Sequence, residues 1–332
     1  MRKIILVIII GLIFNSINAQ NTETKNSTVI NNKKELKIIT NTIVNLITTN
    51  YVYEKKGEKI AEEYAEIVSK EFNEFPISYQ DFAKKSSSNL KDISNDKHFF
   101  MQAPEEKSNA GTMTGDNSWY LGPDKGYGFT MYELLEGNIA YIKYSFFNFT
   151  MMPEAGKTID RIIALCNLTN AIILDLRNNP GGDSDMADYF FSYFMPKDSL
   201  YLSSFMQREK NGELFYSESF SYKNLPENRI NNKPMFILVN RKTGSSAEYF
   251  AFLAQNHTNA TIIGEQTAGA GHSLTVLKVN PYLTIGVPSG RLYDKTSNKG
   301  WEETNGILPD VIIEDSLALK KAHSMALKKV KL

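Results

Sequence analysis

The chain has 332 residues, of which 42% are hydrophobic and 22% charged, with 37 basic against 37 acidic side chains and a single cysteine. The apolar content excludes a disordered chain, and a lone Cys166 excludes an intramolecular disulfide or a cysteine-rich zinc site. A formal charge of zero gives no electrostatic footprint for nucleic acid.

In chain order, Arg2 and Lys3 precede an apolar run from Ile4 to Phe14 and a small-residue step at Ile17-Asn18-Ala19. This is the layout of a signal peptide over residues 1–19, and the run falls short of the roughly 20 residues of a spanning helix. The expectation is a secreted or periplasmic protein, free of the membrane after cleavage near Ala19, that meets an oxidising compartment with no disulfide to offer. Loss of Arg2 and Lys3 leaves the remainder slightly acidic. Residues 20–32 are polar and read as a linker.

Residues 33–97 carry helical periodicity in three stretches: Leu36, Ile39, Ile43, Leu46 and Ile47; then Ile60, Tyr64, Ile67, Val68 and Phe72; then Phe82, Leu90 and Ile93. They predict a small helical domain. Over 98–315 the pattern changes to short β-type runs: 127–135, 139–144, 171–176, 235–239, 261–263, 282–287 and 311–313. Helical segments lie between some of them, at 156–168, 183–194 and 245–256. Strands alternating with helices predict a layered α/β core. Residues 316–332 read as a final surface helix. Cys166, in an apolar helix, reads as a core residue.

The chain lacks a phosphate-cradling Gly-Lys-Ser/Thr loop, a His-Glu-x-x-His helix and a Gly-x-Ser-x-Gly elbow. With only His98, His257, His272 and His323, a multi-histidine metal site is not expected, and neither is a cofactor. Any chemistry therefore belongs to strand-to-loop junctions. At the first, the buried strand 171–177 runs into Asn178-Asn-Pro-Gly-Gly-Asp183. Gly181 and Gly182 could present backbone N–H groups to an oxyanion, or simply permit a turn. At the second, Pro234–Asn240 leads through Arg241-Lys-Thr-Gly244 to Ser245 at the head of a helix. Ser245-x-x-Glu248 reads equally as a capping box and as a nucleophile on the positive end of a helix dipole. A nucleophile needs a base from elsewhere in the chain, and His98, in Asp96-Lys97-His98, is the candidate. Glu303 could orient or polarise such a site, or be an ordinary solvated loop residue.

The run Asp175-Leu-Arg-Asn-Asn-Pro-Gly-Gly182, the Thr243-Gly-Ser-Ser-Ala-Glu248 turn, the Gly264-Glu-Gln-Thr267 step and the Gly306-Ile-Leu-Pro-Asp310 ending occur in that order. The chain thereby resembles the tail-specific, or C-terminal processing, serine peptidases. Upstream, Tyr127-Gly-Phe129, Glu133–Ile142 and Asp96-Lys-His98 resemble the modules of interphotoreceptor retinoid-binding protein and its bacterial peptidase relatives. The resemblance implies a crotonase-like and Clp-protease-like ββα core behind a helical N-terminal domain. It implies Ser245 as nucleophile, with the Ser246 amide and a glycine of the Gly181-Gly182 pair as oxyanion hole, and peptide or protein as substrate.

Two departures sharpen it. The Gly-Lys-Gly setting of the processing peptidases' basic lysine reads Gly269-Ala270-Gly271 here, whereas His98 and Glu303 match the histidine and glutamate of the tricorn-like branch. His272, beside the vacant lysine position, is a third possibility for the base, disfavoured by the flexible Ala-Gly-Ala-Gly run before it. The PDZ domain of many relatives has no room in the short Phe99–Asn138 segment, so none is expected. A reading of a different class remains open: a non-catalytic module carrying retinoid or fatty acid on the same scaffold. The aromatic stretch Tyr141–Phe149, with Met151 and Met152, could then line a pocket or simply pack a core.

Overall fold

The computed structural model describes residues 29–103, 121–148, 153–209, 212–226, 229–301 and 305–331. The expected signal peptide, most of the linker, Phe149, Met151, Met152 and Glu303 lie outside them. Among the described residues no helix is long and apolar enough to cross a membrane.

The first layer is helical. A short strand β1 (Val29–Ile30) pairs antiparallel with β2 (Ile77–Ser78) and brackets helices α1 (Lys33–Asn50) and α2 (Glu54–Glu71), with α3 (Tyr79–Ser94) following β2. The last few residues of the expected linker are therefore ordered. Asn32 Oδ1 caps α1 through the amides of Lys34 and Glu35 at 3.1 and 3.0 Å, which satisfies two of the donors a helix start leaves open. The apolar positions read from the 3.6-residue period line one core: Leu36, Ile39, Ile43 and Ile47 of α1, Ile60, Tyr64 and Val68 of α2, Phe82 and Leu90 of α3.

That core is not closed by the helices alone. Strand β3 (Phe100–Gln102) joins a five-stranded antiparallel sheet with β7 (Tyr201–Arg208), β8 (Leu214–Phe220), β11 (His272–Asn280) and β12 (Leu283–Tyr293). Met101, Leu277, Leu283, Ile285 and Val287 from this sheet complete the helical core. The expected boundary between residues 97 and 98 thus runs through a shared hydrophobic cluster. Strands β7, β8 and β11 were not legible as strands, because their buried and exposed positions do not form a clean apolar alternation.

The central layer is a six-stranded sheet in the order β13 (Val311–Ile312), β10 (Thr261–Gly264), β9 (Met235–Val239), β6 (Ala171–Asp175), β5 (Ile139–Tyr144) and β4 (Phe129–Leu135). Only β4 runs antiparallel; β5, β6, β9, β10 and β13 are parallel neighbours. Both faces are covered, which is why β6 and β9 read as unbroken apolar runs. Ile172, Leu174, Ile237 and Val239 face α4 (Pro153–Cys166), α5 (Ser184–Ser192) and α6 (Ser246–His257). The alternate residues Ala171, Ile173, Phe236 and Leu238 face Ala318, Ala322 and Ala326 of α7 (Asp315–Val330). The tail read as a surface helix thus buries a stripe of small residues that lets it approach the sheet closely. Arg177 fastens it there, pairing with Asp175 at 2.6 Å and Asp315 at 2.9 Å.

Cys166 is buried in the α4 face, and burial pushes its thiol up to about 12, so it is inert packing. Tyr141, Tyr144, Phe146 and Phe147 are also buried, and Tyr144 and Phe147 stack edge-on at 4.9 Å. The described part of the aromatic stretch is therefore packed into the core.

Candidate active site

Strands β6 and β9 are parallel neighbours, so the loops at their carboxyl ends emerge side by side. Fully buried Asn179 locks them together. Its Nδ2 donates to Tyr144 O at 2.9 Å, its Oδ1 accepts from Gly181 N at 2.8 Å, and its carbonyl accepts from Gly244 N at 2.9 Å. The loops then approach so closely that Gly181 and Gly182 are obligatory. At φ +112° a Cβ on Gly181 would lie 2.6 Å from Ser245 Cβ, and at φ +132° one on Gly182 would lie 2.0 Å from Phe147 O. Ser246 Oγ donates to Gly182 O at 2.7 Å and fixes the register of the two loops.

The amides sort themselves in consequence. Gly181 N–H, expected as one choice of oxyanion donor, is spent on Asn179, and its glycine serves clearance instead. Neither Gly182 N–H nor Ser246 N–H has an acceptor among the described residues. Both belong to segments that flank Ser245.

Ser245 stands at the head of α6 with φ +50° and ψ −122°. Serine in that region is strained by roughly 1–3 kcal/mol, whereas an ordinary N-cap residue sits in relaxed extended backbone. As the expected capping box requires, Ser245 N–H donates to Glu248 Oε2 at 2.9 Å. Glu248 does much more than cap. Its buried carboxylate also accepts from Gly269 N and Ala270 N, each at 2.7 Å, and from the Thr267 hydroxyl. Burial raises Glu248 above its ordinary range, while these donors work against that.

Glu248 therefore holds down the Gly269-Ala-Gly271 run. Ala268 N donates to Thr243 O at 2.9 Å, and the Lys97 ammonium donates to Ala268 O, so one segment touches the neighbours of both Ser245 and His98. The Gly264–Thr267 and Gly306–Asp310 motifs prove to be scaffold for this segment. Ile307 N donates to Thr267 Oγ1 and Ile262 N to Asp310 Oδ2, both at 2.7 Å.

Beyond Gly271 the strap delivers His272 at the start of β11. The flexibility expected of Ala-Gly-Ala-Gly does not materialise: His272 is nearly buried, with its Nδ1 2.6 Å from Asp96 Oδ2. The other oxygen, Asp96 Oδ1, takes His98 Nδ1 at 3.0 Å and the His98 amide at 3.0 Å. Two of the four histidines thus converge on one carboxylate. Burial works to raise Asp96, but hydrogen bonds from His272 and His98, and the charge those rings can carry, hold its carboxyl well below the usual carboxylate range. The one signal for Asp96 in the sequence is its place two residues before His98. Glu303 is outside the described residues. Two positions further on, Asn305 Oδ1 accepts from Asn95 Nδ2 at 2.9 Å, which ties the segment before His98 to the Gly306 motif.

The profile of peptidase family S41 matches residues 138–313. A carboxy-terminal-processing protease of Bartonella bacilliformis is 29% identical over 191 residues, covering 56% of this chain and 41% of that protein. The chain spans about two fifths of the length of the curated relatives it matches. Among solved structures, a Parabacteroides merdae protein superposes with a TM-score of 0.64 at 15% identity, covering 88% of this chain and 96% of its own. The photosystem II D1 C-terminal processing protease superposes with a TM-score of 0.52 at 14% identity over 90% and 97% of the two chains. The structural likenesses carry the fold; the profile carries the family.

Proposed function

We propose that this chain, which belongs to peptidase family S41, is a serine peptidase that cleaves peptide bonds with Ser245 as nucleophile and His98 as general base. The observation that carries the reading is the strained backbone of Ser245, at φ +50° on the positive end of α6, wedged against Gly181 of the neighbouring loop. A serine needed only as a cap has no reason to adopt it.

Ser245 Oγ attacks the scissile carbonyl as His98 Nε2 accepts its proton, and the same ring returns that proton to the leaving amine. Asp96 fixes the tautomer by accepting from His98 Nδ1–H, which leaves the Nε2 lone pair for catalysis. The orienting part that the resemblance gives to Glu303 falls to Asp96 in this reading, leaving Glu303 to polarise the site. Gly182 and Ser246 supply the oxyanion amides, since the Gly181 amide is committed elsewhere. Substrates are peptides or proteins. Residues 1–19 direct the chain to the periplasm or the exterior and are removed there.

Hydrolysis of a mixed peptide library by the protein, with labelling by a fluorophosphonate, tests this. Ser245→Ala is expected to abolish labelling and lower kcat/KM by at least about 10³-fold, and His98→Ala by at least about 10²-fold. Undiminished turnover in Ser245→Ala would sink the assignment. Absence of labelling together with saturable fatty-acid or retinoid binding would support the carrier instead.

A further inference from the structure

Asp96, His98 and His272 are not arranged as a simple relay. Both imidazoles turn the same atom, Nδ1, toward the same carboxylate, at 3.0 and 2.6 Å, and one ligand atom from each of the three residues lies within 4.8 Å of the others. Ligands of a tetrahedral zinc ion at about 2.0–2.1 Å sit about 3.3 Å from one another, so the two histidine–aspartate separations, 3.0 and 2.6 Å, already lie within an ångström of that spacing.

We propose that Asp96, His98 and His272 bind a divalent transition-metal ion of the zinc class, and that the bound ion holds the peptidase inactive. The donor set is two imidazoles and a carboxylate, which suits zinc and leaves one coordination position open. The ligands are pre-positioned from separate elements. His272 is seated by edge-on ring contacts with Tyr51 and Tyr53 at 6.4 and 5.9 Å, and its strap is fastened by Glu248. Its Nε2 is buried with no hydrogen-bond partner, so Asp96 is the polar tie that metal binding has to replace.

The inhibitory half rests on the function proposed above and follows from the tautomer. With Nδ1–H donated to Asp96, the Nε2 of His98 has a free lone pair. When a metal ion takes the Nδ1 lone pair, the ring's single proton moves to Nε2, and the ring stays neutral. Nε2 is then a donor and cannot accept the Ser245 proton. His272 shifts its proton to Nε2 in the same way.

Zinc titrated calorimetrically into the Ser245→Ala protein measures binding without catalysis. One ion per chain is expected, with affinity at least about tenfold weaker in Asp96→Asn and in His272→Ala, and Co²⁺ should give the intensified visible bands of a low-coordinate nitrogen–oxygen site in the parent only. His272→Gln serves if the alanine variant fails to fold. No saturable zinc binding, or binding unchanged in the Asp96 and His272 variants, would overturn the site. In the Ser245-containing protein, zinc should suppress fluorophosphonate labelling and a chelator should restore it; labelling indifferent to a bound ion would overturn the inhibitory role while leaving the peptidase standing.

Discussion

The two loops that meet at the candidate active site begin alike and end differently. Each leaves the carboxyl end of a buried parallel strand, turns through glycine and starts a helix: β6 into α5, β9 into α6. At α5 the cap is Asp183, with φ −80° and ψ 126° and its carboxylate on Asp185 N at 2.9 Å, as an N-cap prefers. At α6 the cap is Ser245 in left-handed backbone. The first junction places its positive φ on Asn178, Gly181 and Gly182, residue types that tolerate it; the second places it on a serine. A fold relieves strain where shape is all that matters, and keeps it where a side chain has to point somewhere local energetics would not send it.

This contrast can be broken at several points. The largest effect on stability is expected from Glu248→Ala, which strips acceptors from three amides and a hydroxyl around the Ser245 junction and frees the strap that carries His272. Chemical denaturation should show a loss of about 3 kcal/mol or more, and a loss below about 1 kcal/mol, the worth of an ordinary cap, would mean that Glu248 only caps α6. A pair of substitutions should then move in opposite directions. Asp183→Ala should destabilise by about 1 kcal/mol as an ordinary cap does. Ser245→Gly should leave stability equal or up to about 1 kcal/mol higher, by relieving left-handed strain. Both variants losing stability equally would dissolve the distinction.

The smallest effect concerns the bridge between the two helices. Tyr249 of α6 donates to Asp188 of α5 at 2.7 Å, and its hydroxyl also meets Ser203 and Ser219. Burial pushes Asp188 from 3.8 up to about 7, outweighing the Tyr249 hydrogen bond. A carboxyl whose folded pKa is raised stabilises the fold most below about 4, and that contribution is lost as pH rises through 7. Melting temperatures followed from pH 5 to 8 should therefore fall less in Asp188→Asn, which can still accept from Tyr249, than in the parent. Parallel pH profiles would place the ionised form of Asp188 in the native state.

The central sheet is legible because β6 and β9 are buried on both faces and so read as nearly unbroken apolar runs. The three helices of the first layer were legible for the same reason, as stripes on one face. Ser245, Ser246, Gly181 and Gly182 could be found because loop chemistry is local: a strand end, a glycine pair and a helix start lie within a dozen residues of each other. Even there, sequence left cap and nucleophile undivided, since Ser-x-x-Glu satisfies both, and the proposed role rests on φ at Ser245.

What tertiary structure alone decided lies at long range. Asp96 and His272 meet across 176 positions, and Glu248 reaches 21 and 22 residues on to hold a strap whose composition predicts flexibility. Glycine and alanine carry no side-chain signal of being held, because the donors in question are backbone amides and every residue but proline has one. The residue types that can do chemistry were thus set by the chain itself, and their convergence by hydrogen bonds whose partners no local pattern records.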